Sequence, residues 1–257
     1  MKKVKNITLG ILSIIGMLIA CSSDDSVTVD TTNNDSQGAT YNIESILSKF
    51  SGTGLSYEIS GDRVIFTSQN LPDHTSPYWP TNNPLYEPYN GTNSGFMQNP
   101  NTISEQNLVF SIPLNPSQAS NNQATSLGPI GIARNGVAFF NQYAGPNNTP
   151  LTNEINSFDQ WLGHPQQTGQ YHYHIEPTYL TDQFGSDALL GILLDGFPVY
   201  GPIENGEEIT NADLDEFHGH FGPTPDFPEG IYHYHITAED PYINGSGYYG
   251  TPGSVTQ

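Results

Sequence analysis

Apolar and polar positions alternate with a period of two over Leu55–Ser60 and again over Arg63–Ser68, and the two runs flank the turn pair Gly61-Asp62. That pattern predicts a β-hairpin. Ile43, Ile46, Leu47 and Phe50 instead recur at i, i+3, i+4 and i+7, which predicts one short helix over 43–50. Elsewhere Gly, Pro, Asn, Thr and Tyr dominate and helix formers are scarce, a composition that favours short strands joined by turns. The expected fold is mainly β: a single domain over 41–257 of short strands and long ordered loops. Residues 71–101, which include His74, Tyr78 and Trp79, are too crowded with Pro and Asn for regular structure. Their aromatic content predicts a long loop packed onto the domain.

Three blocks of sequence recur in the same order after roughly sixty residues. Gly131-Ile132-Ala133-Arg134-Asn135-Gly136 returns as Gly191-Ile192-Leu193-Leu194-Asp195-Gly196. Asp159-Gln160-Trp161-Leu162-Gly163-His164 returns as Asp215-Glu216-Phe217-His218-Gly219-His220. Tyr171-His172-Tyr173-His174-Ile175 returns unchanged as Tyr232-His233-Tyr234-His235-Ile236. An internal duplication with pseudo-twofold symmetry is the simple explanation, with one repeat over about 126–176 and the other over about 187–237. Asn135 and Asp195 are expected to supply the positive φ of type I′ hairpin turns.

In a strand, a Tyr-His-Tyr-His run puts both tyrosines on one face and both histidines on the other. The two histidine Cα atoms then lie about 6.6 Å apart, close enough for their rings to converge on one ion. Each repeat adds a Gly-His step, so His164, His172 and His174 form one expected ligand set and His220, His233 and His235 another. Asp159 and Asp215 are expected to accept the outer ring N–H of a ligand histidine and fix its tautomer. His74 is a further candidate ligand. Any one of these histidines has an ordinary alternative as a half-buried ring bonded to a backbone carbonyl.

Thiolate-free, imidazole-rich ligation suits zinc or copper. Tyrosines beside the ligands and an oxidising compartment incline the choice to copper. The N-terminus supplies that compartment: Lys2, Lys3 and Lys5 precede an apolar run over 7–20 that is too short for a permanent span. The run ends in Leu18-Ile19-Ala20-Cys21, which resembles a bacterial lipobox. Residues 1–20 are accordingly expected to be a signal peptide, Cys21 the lipidated residue and 21–40 a disordered tether. A retained membrane anchor is the alternative for the apolar run. The acidic Ser22-Ser23-Asp24-Asp25 resembles surface-export signals of Bacteroidetes lipoproteins, so outer-membrane attachment with surface exposure is expected. After Cys21 only Lys49, Arg63 and Arg134 stand against 26 acidic residues, three against 26, a net of −23. Such a polyanion excludes electrostatic binding of nucleic acid.

The two Tyr-His-Tyr-His motifs, with Gly163-His164-Pro165 and Leu194-Asp195-Gly196-Phe197-Pro198-Val199-Tyr200, are similar to those of the bacterial YHYH-domain proteins over roughly 74–248. A common version of that family's pattern carries two cysteines where this chain has Phe217 and Gly247. The resemblance implies a member without that disulfide, held by packing alone. It implies no particular reaction.

The first functional expectation is a membrane-anchored metal-binding lipoprotein. A metal-dependent enzyme at the same site is the alternative, hydrolytic with Asp195 or Asp215 as base or oxidative through copper, with the loop around His74, Tyr78 and Trp79 walling its cavity. A carbohydrate-binding surface module is the third class. The expected partners are the membrane, through the N-terminal lipid, and a small-molecule or glycan ligand.

Overall fold

The computed structural model describes residues 41–245 and 247–257; Cys21, the leader and the tether lie outside them. The fold is mainly β, with several sheets and few helices. The predicted hairpin forms between β1 (Leu55–Ser60) and β2 (Arg63–Ser68). Together with β3 (Leu108–Pro113) and β12 (Ser254–Thr256) it makes a four-stranded antiparallel sheet in the order β1-β2-β3-β12. The predicted helix is confined to one turn, α1 (Glu44–Leu47), yet Ile43, Ile46, Leu47 and Phe50 are all buried as the pattern requires. A second helix, α2 (Thr178–Phe184), is not foreshadowed by the periodicity.

The larger sheet has eight strands: β4 (Pro129–Ala133), β5 (Ala138–Phe140), β6 (Gly163–Pro165), β7 (Tyr171–Tyr173), β8 (Leu189–Leu193), β9 (Pro198–Tyr200), β10 (Gly219–Gly222) and β11 (Ile231–His235). Their spatial order is β10-β11-β9-β8-β4-β5-β7-β6. Outward from the central antiparallel pair β4·β8, both halves show one antiparallel step, one parallel step and one antiparallel step. The step after the centre is irregular in both, between Pro129 and Gly131 and between Leu189 and Gly191. Tyr173 pairs with Phe139 and Tyr234 with Val199, so the two Tyr-His-Tyr-His runs take matching places in the ladder. Buried Leu, Ile, Phe and Tyr side chains from both sheets make one large cluster that holds these strands in place.

The turns that close β4·β5 and β8·β9 differ from the expected type I′. Gly136 N–H bonds Ala133 C=O at 2.8 Å and Gly196 N–H bonds Leu193 C=O at 3.0 Å, while positive φ falls on Gly136 (89°) and Gly196 (88°) alone. Each is a type I turn followed by a glycine bulge. Asn135 and Asp195 are freed for another task, described below.

Candidate metal centres

The alternation of the Tyr-His-Tyr-His strands divides their side chains as predicted, and the Gly-His strands bring in the third imidazole. His164 lies opposite His172 across β6·β7, and His220 opposite His233 across β10·β11. The structure therefore gathers His164, His172 and His174 into one cluster and His220, His233 and His235 into another. Each cluster also holds a carboxylate that spacing did not reveal, Glu154 in the first and Glu204 in the second. In each, the four donor atoms lie within 4.8 Å of one another. Two His/Glu clusters that could hold a metal ion are thus present, on β6·β7 and on β10·β11, not one shared centre.

The ring tautomers follow from what the outer nitrogens touch. Nδ1 of His172 faces Gln170 C=O (3.1 Å), and that of His174 faces Asn141 C=O (2.5 Å). In the second cluster Nδ1 of His233 faces Ile231 C=O (2.9 Å), and that of His235 faces Gly201 C=O (2.8 Å). A carbonyl only accepts, so these four nitrogens carry the proton. His164 Nδ1 lies 2.7 Å from Ser157 Oγ and 3.4 Å from Asn99 Nδ2, while its Nε2 lies 3.2 Å from Glu154 Oε1. Every Nε2 so fixed presents a bare lone pair inward. Yet His164 and His172 Nε2 stand 3.1 Å apart, His172 and His174 Nε2 3.0 Å, and His220 and His233 Nε2 3.1 Å. His235 Nε2 is buried with no hydrogen-bond partner.

Burial favours the neutral form of four of these rings. Desolvation drives His172 well below the ordinary histidine value, and lowers His174, His233 and His235 to about 4. Burial by itself would raise Glu154, but the hydrogen bond and charge of His164 and the charge of His174 hold it lower. Phe140 stacks on His172 with ring centres 3.9 Å apart, and Phe158 lies parallel to His174 at 5.8 Å, fixing both rings.

The tyrosine face accounts for the acids next to the motifs. Asp159 and Asp215 touch no histidine, which corrects the expectation that they accept an imidazole N–H. Asp159 takes the Tyr171 hydroxyl, Ser76 Oγ and the backbone N–H of Trp161 and Gly163. Asp215 takes the Tyr232 hydroxyl and the N–H of Phe217 and Gly219. Carbonyls claim the outer nitrogens of His172, His174, His233 and His235, and the carboxylates hold the turn that presents Gly-His. The glycine is needed there for a reason other than imidazole reach: a Cβ on Gly163 or Gly219 would meet the Tyr171 or Tyr232 hydroxyl at 2.5 Å. The second tyrosine of each motif is tied to a hairpin turn. Asp195 accepts the Tyr234 hydroxyl at 2.6 Å, and Asn135 donates to the Tyr173 hydroxyl at 3.3 Å.

Three further expectations change. His74 is not a ligand candidate: its Nε2 accepts the Tyr173 hydroxyl at 3.0 Å on the opposite face, among Trp161, Tyr171 and Tyr179. Asp195 and Asp215, bound to tyrosines on that same face, are not placed to act as bases at either cluster, and the motif tyrosines that argued for copper point away from the imidazoles. Tyr78 and Trp79 are buried, so the 71–101 loop presents Asn99 and Asn101 to the first cluster rather than an aromatic wall. His218, also buried, bonds Thr237 Oγ1 at 3.0 Å and stands apart from both clusters.

Each cluster opens onto a cleft. The first, about 500 Å³, is lined by the cluster with Asn99, Asn101, Tyr143, Gln166 and Gln167. The second, about 540 Å³, is lined by Glu204, His233 and His235 with Asp187, Tyr200 and Thr224. In place of the cysteine pair, buried Asn244 donates to the carbonyls of both Phe217 (3.4 Å) and Gly247 (2.9 Å). Among the described residues no helix is long and apolar enough to cross a membrane. Comparison with curated proteins and with solved structures returned no match. A family model described as "YHYH protein" matches residues 109–211 and 203–247, more than half of the chain and both histidine clusters, and the chain belongs to that family.

Proposed function

We propose that this chain is a membrane-tethered lipoprotein whose YHYH domain binds two transition-metal ions, zinc or copper, one in each His₃Glu cluster. The observation that carries the reading is the pair of His172 and His174 Nε2 lone pairs, 3.0 Å apart with both outer nitrogens on backbone carbonyls, inside a donor set of three imidazoles and one carboxylate that recurs in the second cluster. Two such lone pairs repel unless a cation lies between them, and buried polar atoms without partners are uncommon. Zn–N bonds of about 2.0–2.1 Å place neighbouring donors about 3.0–3.4 Å apart, depending on the angle at the ion. Imidazole with one carboxylate suits zinc or copper better than calcium or magnesium, which favour all-oxygen shells. The clefts beside the clusters favour a second role, catalysis or ligand capture.

The test is elemental analysis of the protein purified without a histidine tag. Close to two equivalents of zinc, copper or both support the proposal. No stoichiometric metal, together with no thermal stabilisation when either is added, would refute it.

A further inference from the structure

The two centres share a donor set but not a donor geometry. Glu154 precedes its Gly-His step by ten residues from a 3₁₀ turn (Glu154–Ser157), whereas Glu204 precedes its own by sixteen from a two-residue ribbon (Ile203–Glu204). Counted back from Asp159 and Asp215, Thr210 holds the place of Glu154. The carboxylates therefore reach their clusters from unrelated positions, and they arrive at different places. Glu204 Oε1 stands 3.3, 3.5 and 3.9 Å from the ring nitrogens of His233, His220 and His235, capping all three. Glu154 Oε1 stands 3.2 Å from His164 and 4.0 Å from His174, with no such approach to His172.

Around the first centre the gaps run 3.0 Å from His174 to His172, 3.1 Å to His164 and 3.2 Å to Glu154, closing with 4.0 Å back to His174. The His164 and His174 ring centres, 5.8 Å apart, are farther from each other than either is from His172. The edge between Glu154 and His174 is the wide one. In the second centre the three ring centres are nearly equidistant, at 4.6, 4.8 and 5.1 Å, beneath one capping oxygen. Four donors arranged that way enclose a tetrahedral ion and leave it no free position. A donor set with one wide edge leaves room there for a further ligand on the ion.

Resting on the metal-binding reading above, we propose that the centres are not interchangeable: the second is a closed tetrahedral site, and the first takes an exogenous ligand at an open position facing its cleft. The lining of that cleft names the ligand class. Asn99, Asn101, Gln166 and Gln167 supply amide donors and acceptors, Tyr143 adds a ring, and no lysine or arginine lines it. Such a surface pairs with the hydroxyls of a neutral polyol or sugar and offers nothing to an anion's charge beyond the ion itself.

Cobalt(II) tests this, because tetrahedral cobalt absorbs strongly in the visible and five- or six-coordinate cobalt weakly. The full protein is loaded alongside His172→Ala/His174→Ala, which retains the second centre, and His233→Ala/His235→Ala, which retains the first. Azide is the probe for an open position and sorbitol the competing polyol. The retained second centre should show intense bands that azide leaves unchanged. The retained first centre should show weak bands that azide shifts and that sorbitol restores. Identical spectra and identical azide responses at both centres would overturn the proposal, as would an azide response confined to the second. A shift that sorbitol leaves untouched would overturn the ligand class. If either double variant fails to fold, Glu154→Gln and Glu204→Gln in the otherwise intact chain give the same comparison, because Glu204→Gln alone should weaken the intense bands. Failure of any form to take up cobalt, zinc or copper counts against metal binding itself and is read at the loading step.

Discussion

Asp159 receives the Tyr171 hydroxyl through both carboxylate oxygens, at 2.9 Å each, on the face of the sheet opposite the imidazoles. The same carboxylate holds the turn from which His164 is presented. A group that never touches the donor set thus sets the position of one donor. Asp159→Ala should lower stability by about 2–4 kcal/mol, since it removes several buried charge-assisted bonds. It should weaken metal at the first centre about 10- to 100-fold, as loss of outer support does. Denaturation and metal titration check both; unchanged affinity would show that the turn holds His164 without its aspartate.

The separation of the clusters sets the stoichiometry of ligand loss. His172→Ala/His174→Ala should remove about half of the bound metal, and adding His233→Ala/His235→Ala should remove the rest. Elemental analysis of the double and quadruple variants decides it. Loss of nearly all metal in the first double variant would mean that the clusters are coupled.

Acid should destabilise the metal-free protein. Burial lowers His74, His174, His218, His233 and His235 to about 4 and His172 further, from 6.5 in the unfolded chain. As pH falls from 6.5 towards 4 the unfolded state takes up protons first, so stability drops with it. Asp159 and Asp195, raised by burial to about 6, act in the opposite direction over about pH 6 to 4, because their folded forms protonate first. Asp73, also raised by burial, acts with them, and six histidines outweigh the three aspartates. The urea midpoint of metal-free protein should therefore be lower at pH 5 than at pH 7, and an equal or higher midpoint would contradict this balance.

Asn244 stitches the Phe217 strand approach to the C-terminal segment at Gly247. Asn244→Ala takes the donor from Gly247 C=O, while Phe217 C=O keeps the Gly245 N–H; it should cost about 1–3 kcal/mol, with metal at the first centre unaffected. Chemical denaturation with parallel metal analysis gives both values.

For the N-terminus, Cys21→Ser should yield an unacylated precursor in the wrong cell fraction. Incorporation of radiolabelled lipid at the level of the parent chain would rule out Cys21 as the acceptor.

Much of the sheet was legible because its signals are local. Alternation at Leu55–Ser60 and Arg63–Ser68 gave the hairpin at its observed bounds, and the repeated Tyr-His-Tyr-His run with its Gly-His step placed six candidate ligands on two strand pairs. Glu154 and Glu204 were not legible, because they come from connections of different length and shape and nothing in one repeat points to the acid in the other. Helix α2 has barely two turns and buries only Leu180 and Thr181, too little periodicity to register. The role of Asp159 was misjudged because spacing shows that an acid is near the motif but not which face of the strand it meets.

Strands β6 and β10, which carry His164 and His220, are the two outermost members of the eight-stranded sheet. At about 4.8 Å per strand the centres lie on the order of 25–30 Å apart, too far for both ions to act on one small molecule. Each ion would instead clasp a border strand to its inner neighbour, His164 to the His172 strand and His220 to the His233 strand. Exposed border strands are where sheets recruit other chains. The β6 border is buried while β10 exposes Phe221, so metal occupancy of the second centre would decide whether that edge stays sealed or frays into a template for assembly.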